Sequence, residues 1–235
     1  QLNNEKVNVV IPHLSKNISG NQTQRLKVII DRFIKDRQVK KFIAWYYSPM
    51  ALLFTNHLHP VVTVYDCMDE LSAFKFAPPE LKIAEKKLLQ KADVVFTGGY
   101  NLYKAKKHLH HNIYPFPSSI DKEHFLQARY ISRQPEDQKN IPHPRLGFYG
   151  VIDERFDIDL IKQVAEAKPE WQFILIGPVV KIDENMLPKN SNIHYLGSKH
   201  YQQLPEYISG WDIALIPFAI NKSTKFISPT KTPEY

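Results

Sequence analysis

Apolar positions along this chain follow two periods in turn. Short runs dense in Val, Ile, Phe and Tyr predict strands, and longer segments with apolar residues at three- and four-residue spacing predict helices. VNVVIP (7–12) predicts a first strand, NQTQRLKVIIDRFIKDR (21–37) a helix, and KKFIAWYYSP (40–49) and PVVTVYDC (60–67) two more strands. PPELKIAEKKLLQKA (78–92) predicts a helix with Pro79 in its first turn and Leu81, Ala84, Leu88 and Leu89 on one stripe. Strand DVVFTGG (93–99), helix YNLYKAKKHLHH (100–111) and strand NIYPFPSS (112–119) follow, and the chain then passes through IDKEHFLQA into the polar, proline-containing break PEDQKNIPHP (135–144).

After the break the alternation restarts: strand RLGFYG, helix FDIDLIKQVAEAK, strand WQFILIG, strand NIHYLG, helix YQQLPEYISG, strand DIALIPF and a terminal loop. Runs that are apolar throughout, such as FILIG and IALIP, suit strands covered on both faces, as parallel sheets require. The expected fold is α/β with two Rossmann-like, doubly wound parallel-sheet domains, residues 1–140 and 141–235. Ligands of such sheets bind at the carboxyl ends of the strands. Two of them facing each other would make a cleft, so residues just after each strand become the candidates for chemistry.

Composition narrows the class. The 235 residues are 43% hydrophobic and 23% charged, ordinary for a folded domain pair. No apolar run approaches the roughly 20 residues of a membrane-spanning helix. The single cysteine, Cys67, excludes an internal disulfide and a cysteine metal cluster, and fits a cytoplasmic location. The net charge of +7 is unevenly distributed: residues 1–144 hold 21 basic against 13 acidic residues, and residues 145–235 hold 10 against 11. A one-sided positive field suits an ordinary solvated face, an anionic membrane or an anionic acceptor, and no basic-aromatic nucleic-acid module is present. Its densest block runs from Lys82 to Lys107.

Several ordered stretches resemble retaining GT-B glycosyltransferases of the group 1, family 4 type, especially the bacterial branch that builds envelope polysaccharides such as teichuronic acid. ADVVFTGGYNLYKAK resembles the last full strand and helix of the N-domain. YPFPSSIDKEHF resembles the signature before the interdomain linker, with Asp121 and Phe125 matching and Ser118 and Ser119 replacing Asn and Gly. LGFYGVIDERFDIDLI is similar to the strand and loop that open the C-domain, NIHYLGSKHYQQLPEYISGWDIALIPF to its next strand-helix-strand section, and SPTKTPEY to the start of the donor-binding helix. The resemblance covers nearly the whole chain. It implies an acceptor-side first domain and a nucleotide-sugar-binding second domain, both incomplete: an earlier strand and glycine-rich loop before residue 1, and further β-α units after Tyr235, are expected. A fragment of this kind is expected to be poorly active. The implied activity is transfer of a sugar, with retention, from a nucleotide-sugar donor to an envelope polysaccharide or lipid-linked acceptor, without cofactor or bound metal, in the cytoplasm and against the inner membrane face.

Transfer from a nucleotide sugar requires a diphosphate to be bound and its growing charge to be stabilised as the sugar-phosphate bond breaks. In SPTKTPEY, Pro229 and Pro233 favour an extended approach and an early helical turn, so that backbone N–H groups near Thr230 face a phosphate beside Lys231. Glu234, three residues on, shares that side of the turn, where a carboxylate can accept both hydroxyls of a ribose. By resemblance Glu234 is the second of the family's glutamate pair. Phe226, eight positions earlier, stands where the first glutamate is expected to touch the donor sugar, and NKST (221–224) can supply polar contacts instead. Arg155, in the loop after LGFYG, either faces the diphosphate or pairs with Asp153 or Glu154. Gly150, Gly177 and Gly197 end strands on one expected edge, either for close approach of a nucleotide or as turn glycines.

In the first half, VVTVYDCMDE puts Tyr65, Asp66, Asp69 and Glu70 directly after a strand, facing the expected cleft. Tyr65 replaces a histidine that the family uses against the donor sugar. The three carboxylates can act as a base on an acceptor hydroxyl, bind a metal, or cap the next helix. His108, His110 and His111 lack a second ligand pair at zinc spacing and read as a helix end, while Thr97, Gly98 and Gly99 read as an N-cap and turn. Two other functions fit the same residues: a nucleotide-sugar epimerase of related architecture, and a degenerate, non-catalytic GT-B domain.

Overall fold

The computed structural model describes residues 8–14, 21–222 and 224–235. By contacts the chain divides into two compact units, residues 1–72 with 76–116, and residues 73–75 with 117–235.

The first unit is a four-stranded sheet of order β1-β2-β3-β4 (Ile43–Tyr46, Val62–Cys67, Val94–Thr97, Ile113–Pro115), parallel throughout. Helix α1 (Gln22–Asp36) precedes β1, and α2 (Leu52–Thr55), α3 (Leu81–Lys91) and α4 (Tyr100–Lys106) lie in the three crossovers. Asn21 caps α1 by accepting from Thr23 N at 2.9 Å. Pro79 stands just outside α3, ahead of its Glu80 cap, and the stripe Leu81, Ala84, Leu88 and Leu89 is buried as its spacing predicts. These side chains share the first core with Tyr65, Val95 and Leu102. The first predicted strand is corrected here: Val7 lies outside the described residues, Asn8 makes a lone bridge, and Val9, Val10 and Ile11 are exposed without strand structure.

The second unit is a parallel sheet of order β7-β6-β5-β8, with β5 Arg145–Tyr149, β6 Gln172–Ile176, β7 Ile193–Gly197 and β8 Ile213–Ala214. Its helices are α5 (Lys122–Leu126), α6 (Ile158–Ala167), α7 (Leu204–Ile208) and the single turn α8 (Lys231–Glu234). Alternate residues of β5 and β6 enter two cores. Leu146, Phe148, Phe173 and Leu175 pack with Ile161 of α6 on one face; Tyr149, Ile174 and Ile176 pack with Phe125, Leu204 and Tyr207 on the other. Each such buried side chain contributes about 1.5–3 kcal/mol. Gly147 leaves room on that second face for the Trp211 ring, whose nearest atom lies 1.9 Å from where a Cβ would stand.

The unit boundary lies at Phe116–Pro117, earlier than residue 140, for a physical reason. Asp121 caps α5 by accepting from His124 N at 3.1 Å, and Phe125 of that helix is buried in the second unit's core. Arg145, itself buried, donates to Gln134 Oε1 at 2.5 Å, to Ile141 O at 2.8 Å and to Lys139 O at 3.1 Å, drawing the 134–141 segment onto the second sheet. Fully buried Gln138 bridges Tyr207 O and Trp211 Nε1 at 3.0 and 2.9 Å. No helix among the described residues is long and apolar enough to cross a membrane.

Candidate functional site

In the second sheet the chain reverses direction of growth between β5 and β8, which places the ligand crevice of such sheets at the carboxyl ends of those two strands. The loops leaving them lie side by side there: Phe156 and Phe218 form an antiparallel bridge, Asp157 N donates to Pro217 O at 2.8 Å, and Ala219 N donates to Arg155 O at 2.8 Å.

Three predicted glycines form the neighbouring edge. Gly150 N donates to Ile176 O at 2.8 Å and Gly177 N to Gly197 O at 2.9 Å, so the ends of β5, β6 and β7 are stitched in a row. All three glycines have positive φ: 142° at Gly150, 139° at Gly177 and 67° at Gly197. A Cβ on Gly177 would stand 1.8 Å from Gly150 O, and one on Gly150 would stand 2.8 Å from Lys231 Cε. At Gly197 a Cβ would meet nothing within 4 Å. That open side faces a pocket of about 610 Å³ walled by Pro178, Leu187, Pro188 and Tyr195.

Beside Gly150 stands Lys231. Its ammonium lies 5.8 Å from the Phe148 ring centroid and 5.4 Å from that of Tyr149, in cation–π range. Burial lowers its pKa, Glu234 opposes that shift, and the positive field of Arg155 adds to it. Arg155 is forked onto buried Asp153, with Nε–Oδ1 at 2.9 Å and Nη2–Oδ2 at 2.7 Å, and its guanidinium lies 5.9 Å from the Phe218 ring. The Asp153 pairing weighed from sequence is therefore present, and it leaves Arg155 close enough to act on Lys231. Thr230 adopts helical φ and ψ and caps nothing with its side chain; in the turn it begins Thr232 N donates to Pro229 O at 3.3 Å and Glu234 N to Thr230 O at 3.2 Å, while Pro233 has no N–H to offer.

Glu234 is held from the strand. The Tyr149 hydroxyl donates to Glu234 Oε2, and burial together with that carboxylate pushes the Tyr149 pKa up. Tyr235 donates to Leu215 O at 3.1 Å and sets its ring edge-on to Tyr149 at 5.4 Å. Tyr149 and Phe148 were missed by sequence reasoning. Their only signal was their place as the last residues of β5 before a required glycine. Phe226 lies under Lys225, 5.6 Å from ring to ammonium, and in the NKST stretch Asn221 and Thr224 bond each other in a closed turn; Ser223 lies outside the described residues.

The first-unit candidates do not form one cluster, which corrects their expected placement after the strand. Tyr65 and Asp66 lie within β2 and point to opposite faces. Tyr65 is wholly buried and donates to Glu85 Oε1 at 2.8 Å. Asp66 is buried on the other face; Trp45 Nε1 donates to its Oδ2 at 3.1 Å, its Oδ1 has no hydrogen-bond partner, and burial raises its pKa. Glu70 is committed elsewhere: buried Lys106 lies 2.8 Å from its Oε2, and Ser72 donates to its Oε1 at 2.7 Å. Burial alone would raise the Glu70 pKa, but Lys106 and Ser72 outweigh it and lower it. Asp69 follows in the same loop, its carbonyl 3.6 Å from Cys67 Sγ. Beyond α4, His110 Nε2 lies 2.9 Å from Ala92 O, a structural contact at a helix end. Within the stretch Thr97–Gly98–Gly99 read as an N-cap and turn, Gly99 is the N-cap of α4. Among the described residues no group of His, Cys, Asp and Glu could hold a metal ion.

No family model matches the chain. In sequence it is similar to TuaH of Bacillus subtilis (strain 168), a protein assigned to teichuronic acid biosynthesis as a glycosyltransferase, with 24% identity over 210 residues; the match covers 81% of this chain and 52% of TuaH. The chain thus spans about half the length of that relative. In structure it is similar to Anabaena Alr3699/HepE, solved in complex with UDP and glucose, with a TM-score of 0.60 and 14% identity over 83% of this chain and 57% of HepE. Sucrose-phosphate synthase of Thermosynechococcus elongatus gives a TM-score of 0.59 and 14% identity over 83% of this chain and 56% of the synthase. These likenesses establish the fold: each unit is Rossmann-like and parallel, in the GT-B pattern expected from the sequence.

Proposed function

We propose that this chain belongs to a glycosyltransferase that takes a sugar from a nucleotide-diphosphate donor and passes it to a saccharide acceptor. One observation carries the reading. At the switch point of the second sheet the half-buried Lys231 ammonium meets aromatic faces instead of a carboxylate, feels a second cation in Arg155, and stands one helical turn from Glu234. Two like charges held together in a partly desolvated place favour an anion, and a diphosphate that gains charge as the glycosidic bond breaks is such an anion. Lys231 and Arg155 would take the phosphates with the turn at Thr230, Glu234 the ribose, and the pocket between Gly177 and Gly197 the base. HepE was solved with UDP and glucose, which makes uridine diphosphate sugars the first donors to test. The likeness to TuaH supports an envelope polysaccharide as acceptor, and retention of configuration follows the resemblance to the retaining branch.

In the first unit Glu70 is paired with Lys106, and Asp66, whose buried Oδ1 has no hydrogen-bond partner, is the carboxylate proposed to meet an acceptor. Lys82, Lys86, Lys87, Lys104 and Lys107 are exposed and form the surface proposed to meet an anionic membrane at the cytoplasmic face. The test is incubation of the intact protein with a radiolabelled uridine diphosphate sugar, with and without saccharide acceptor. Label moving to the acceptor, with configuration kept, is expected. Conversion of the donor sugar with no acceptor present would mean an epimerase instead, and binding of the donor without any turnover a non-catalytic domain.

A further inference from the structure

The geometry points to Tyr149 as the positioning residue that couples phosphate recognition to ribose recognition, an inference that rests on the donor-site reading above. Tyr149 is the last residue of β5 and is mostly buried in the second unit's core, so its ring cannot drift. That ring is fixed by neighbours on three sides: Phe125 stacks at 6.2 Å, Trp211 lies tilted at 6.3 Å, and Tyr235 stands edge-on at 5.4 Å. From this fixed place it makes two contacts of different chemistry. Its π face lies 5.4 Å from the Lys231 ammonium, and its hydroxyl donates to Glu234 Oε2.

The two residues it touches are three apart on the one-turn helix α8, where local structure alone holds them weakly. An exposed glutamate samples several rotamers and loses that freedom on binding. Tyr149 removes the freedom beforehand: its hydroxyl takes Oε2, and Oε1 is the oxygen proposed to receive a ribose hydroxyl. The lysine is seated by an attraction that does not neutralise it, so its charge stays available for a phosphate. Tyr149 touches no reacting atom in this arrangement; it acts through Lys231 and Glu234.

The two contacts are separable by substitution. Tyr149→Phe keeps the ring and removes the hydroxyl, whereas Tyr149→Leu removes both. Calorimetric titration of the intact protein with uridine, guanosine and adenosine diphosphates identifies the nucleotide bound, and inorganic pyrophosphate serves as the phosphate-only probe. Tyr149→Phe is expected to weaken the nucleoside diphosphate about tenfold, the loss of one charge-assisted hydrogen bond, and to leave pyrophosphate affinity unchanged. Tyr149→Leu is expected to weaken both. In a Glu234→Ala background Tyr149→Phe should add nothing, because the hydroxyl has lost the group through which it acts. If the wild type binds a nucleoside diphosphate and Glu234→Ala weakens it while Tyr149→Phe does not, or if the two substitutions add independently, the positioning role is wrong and the donor site stands. If none of the three nucleotides binds the wild type, the donor-site reading falls and this inference falls with it.

Discussion

Replacing Gly177 by alanine puts a methyl carbon where the structure has a carbonyl. The added Cβ would lie 1.8 Å from Gly150 O, and ordinary contact begins at 3.4 Å, so one strand end must retreat by about 1.6 Å (3.4 minus 1.8). Retreat breaks the 2.8 Å bond from Gly150 N to Ile176 O, worth about 1 kcal/mol. The φ of 139° adds about 1–3 kcal/mol for a residue with a side chain. The expected destabilisation is therefore about 2–4 kcal/mol from these two terms, with the steric displacement added to it. Gly197 is the internal control: its φ of 67° is left-handed but its Cβ meets nothing within 4 Å, so Gly197→Ala should cost only about 1–2 kcal/mol. Urea unfolding followed by tryptophan fluorescence reads the difference, since Trp171 and Trp211 both lie in the second unit. The displacement should also reach Lys231, which packs against Gly150, and lower nucleotide affinity. A Gly177→Ala protein no less stable than Gly197→Ala would refute the argument that close approach of strand ends shapes this edge.

Two predictions concern the first unit. Lys106→Met leaves Glu70 and Glu85 facing each other across a buried site without their shared cation, and should cost about 3–5 kcal/mol at neutral pH. Because the Glu70 pKa is lowered in the folded chain from its ordinary 4.5, its stabilisation is present above pH 4.5 and is lost as pH falls through the folded value, so the gap between wild type and Lys106→Met in urea midpoint should narrow in acid. Asp66 shifts the other way. Its pKa is raised by burial, so the ionised group opposes folding above its ordinary value of 3.8; Asp66→Asn should raise the urea midpoint at pH 7, and that gain should fade below about pH 3.8. A constant gain across that range would mean that the charge of Asp66 is not what burial penalises.

The two-period pattern was enough to read both parallel sheets, because strands covered on both faces are apolar throughout and stand out against the amphipathic helices between them. It misled where one residue type serves two structures. Asp66 stands near the end of the predicted strand PVVTVYDC and was expected to face a cleft; it lies buried inside β2 and pairs with Phe96 of β3 in register. VNVVIP has strand composition, but Val9, Val10 and Ile11 are exposed, Ile11 at 68%, rather than covered on both faces as a strand inside a parallel sheet would be. IDKEHFLQA was too short for a helical stripe to show, yet the Asp121 cap and the burial of Phe125 make α5 and carry its segment onto the second unit.

The candidate site was legible to the extent that it is local. Glycines at strand ends, and a lysine and a glutamate three apart, lie close in the sequence. The contact that organises them, Tyr149 with Glu234, joins residues 85 apart and has no counterpart in any periodicity. The Arg155 fork onto Asp153 was one of the open alternatives, and only the geometry distinguishes an arginine used up by its carboxylate from one held by it near a second cation.

The edge bearing Gly150 and Lys231 is proposed to bind the diphosphate of a nucleotide sugar. The most direct test is calorimetric titration of wild-type and Lys231→Ala protein with the nucleoside diphosphate that binds and with the parent nucleoside. Lys231→Ala is expected to lose at least about tenfold in diphosphate affinity, the magnitude of a charged hydrogen bond in a partly buried place, with nucleoside affinity unchanged. Equal affinity of the two proteins for the diphosphate would contradict it.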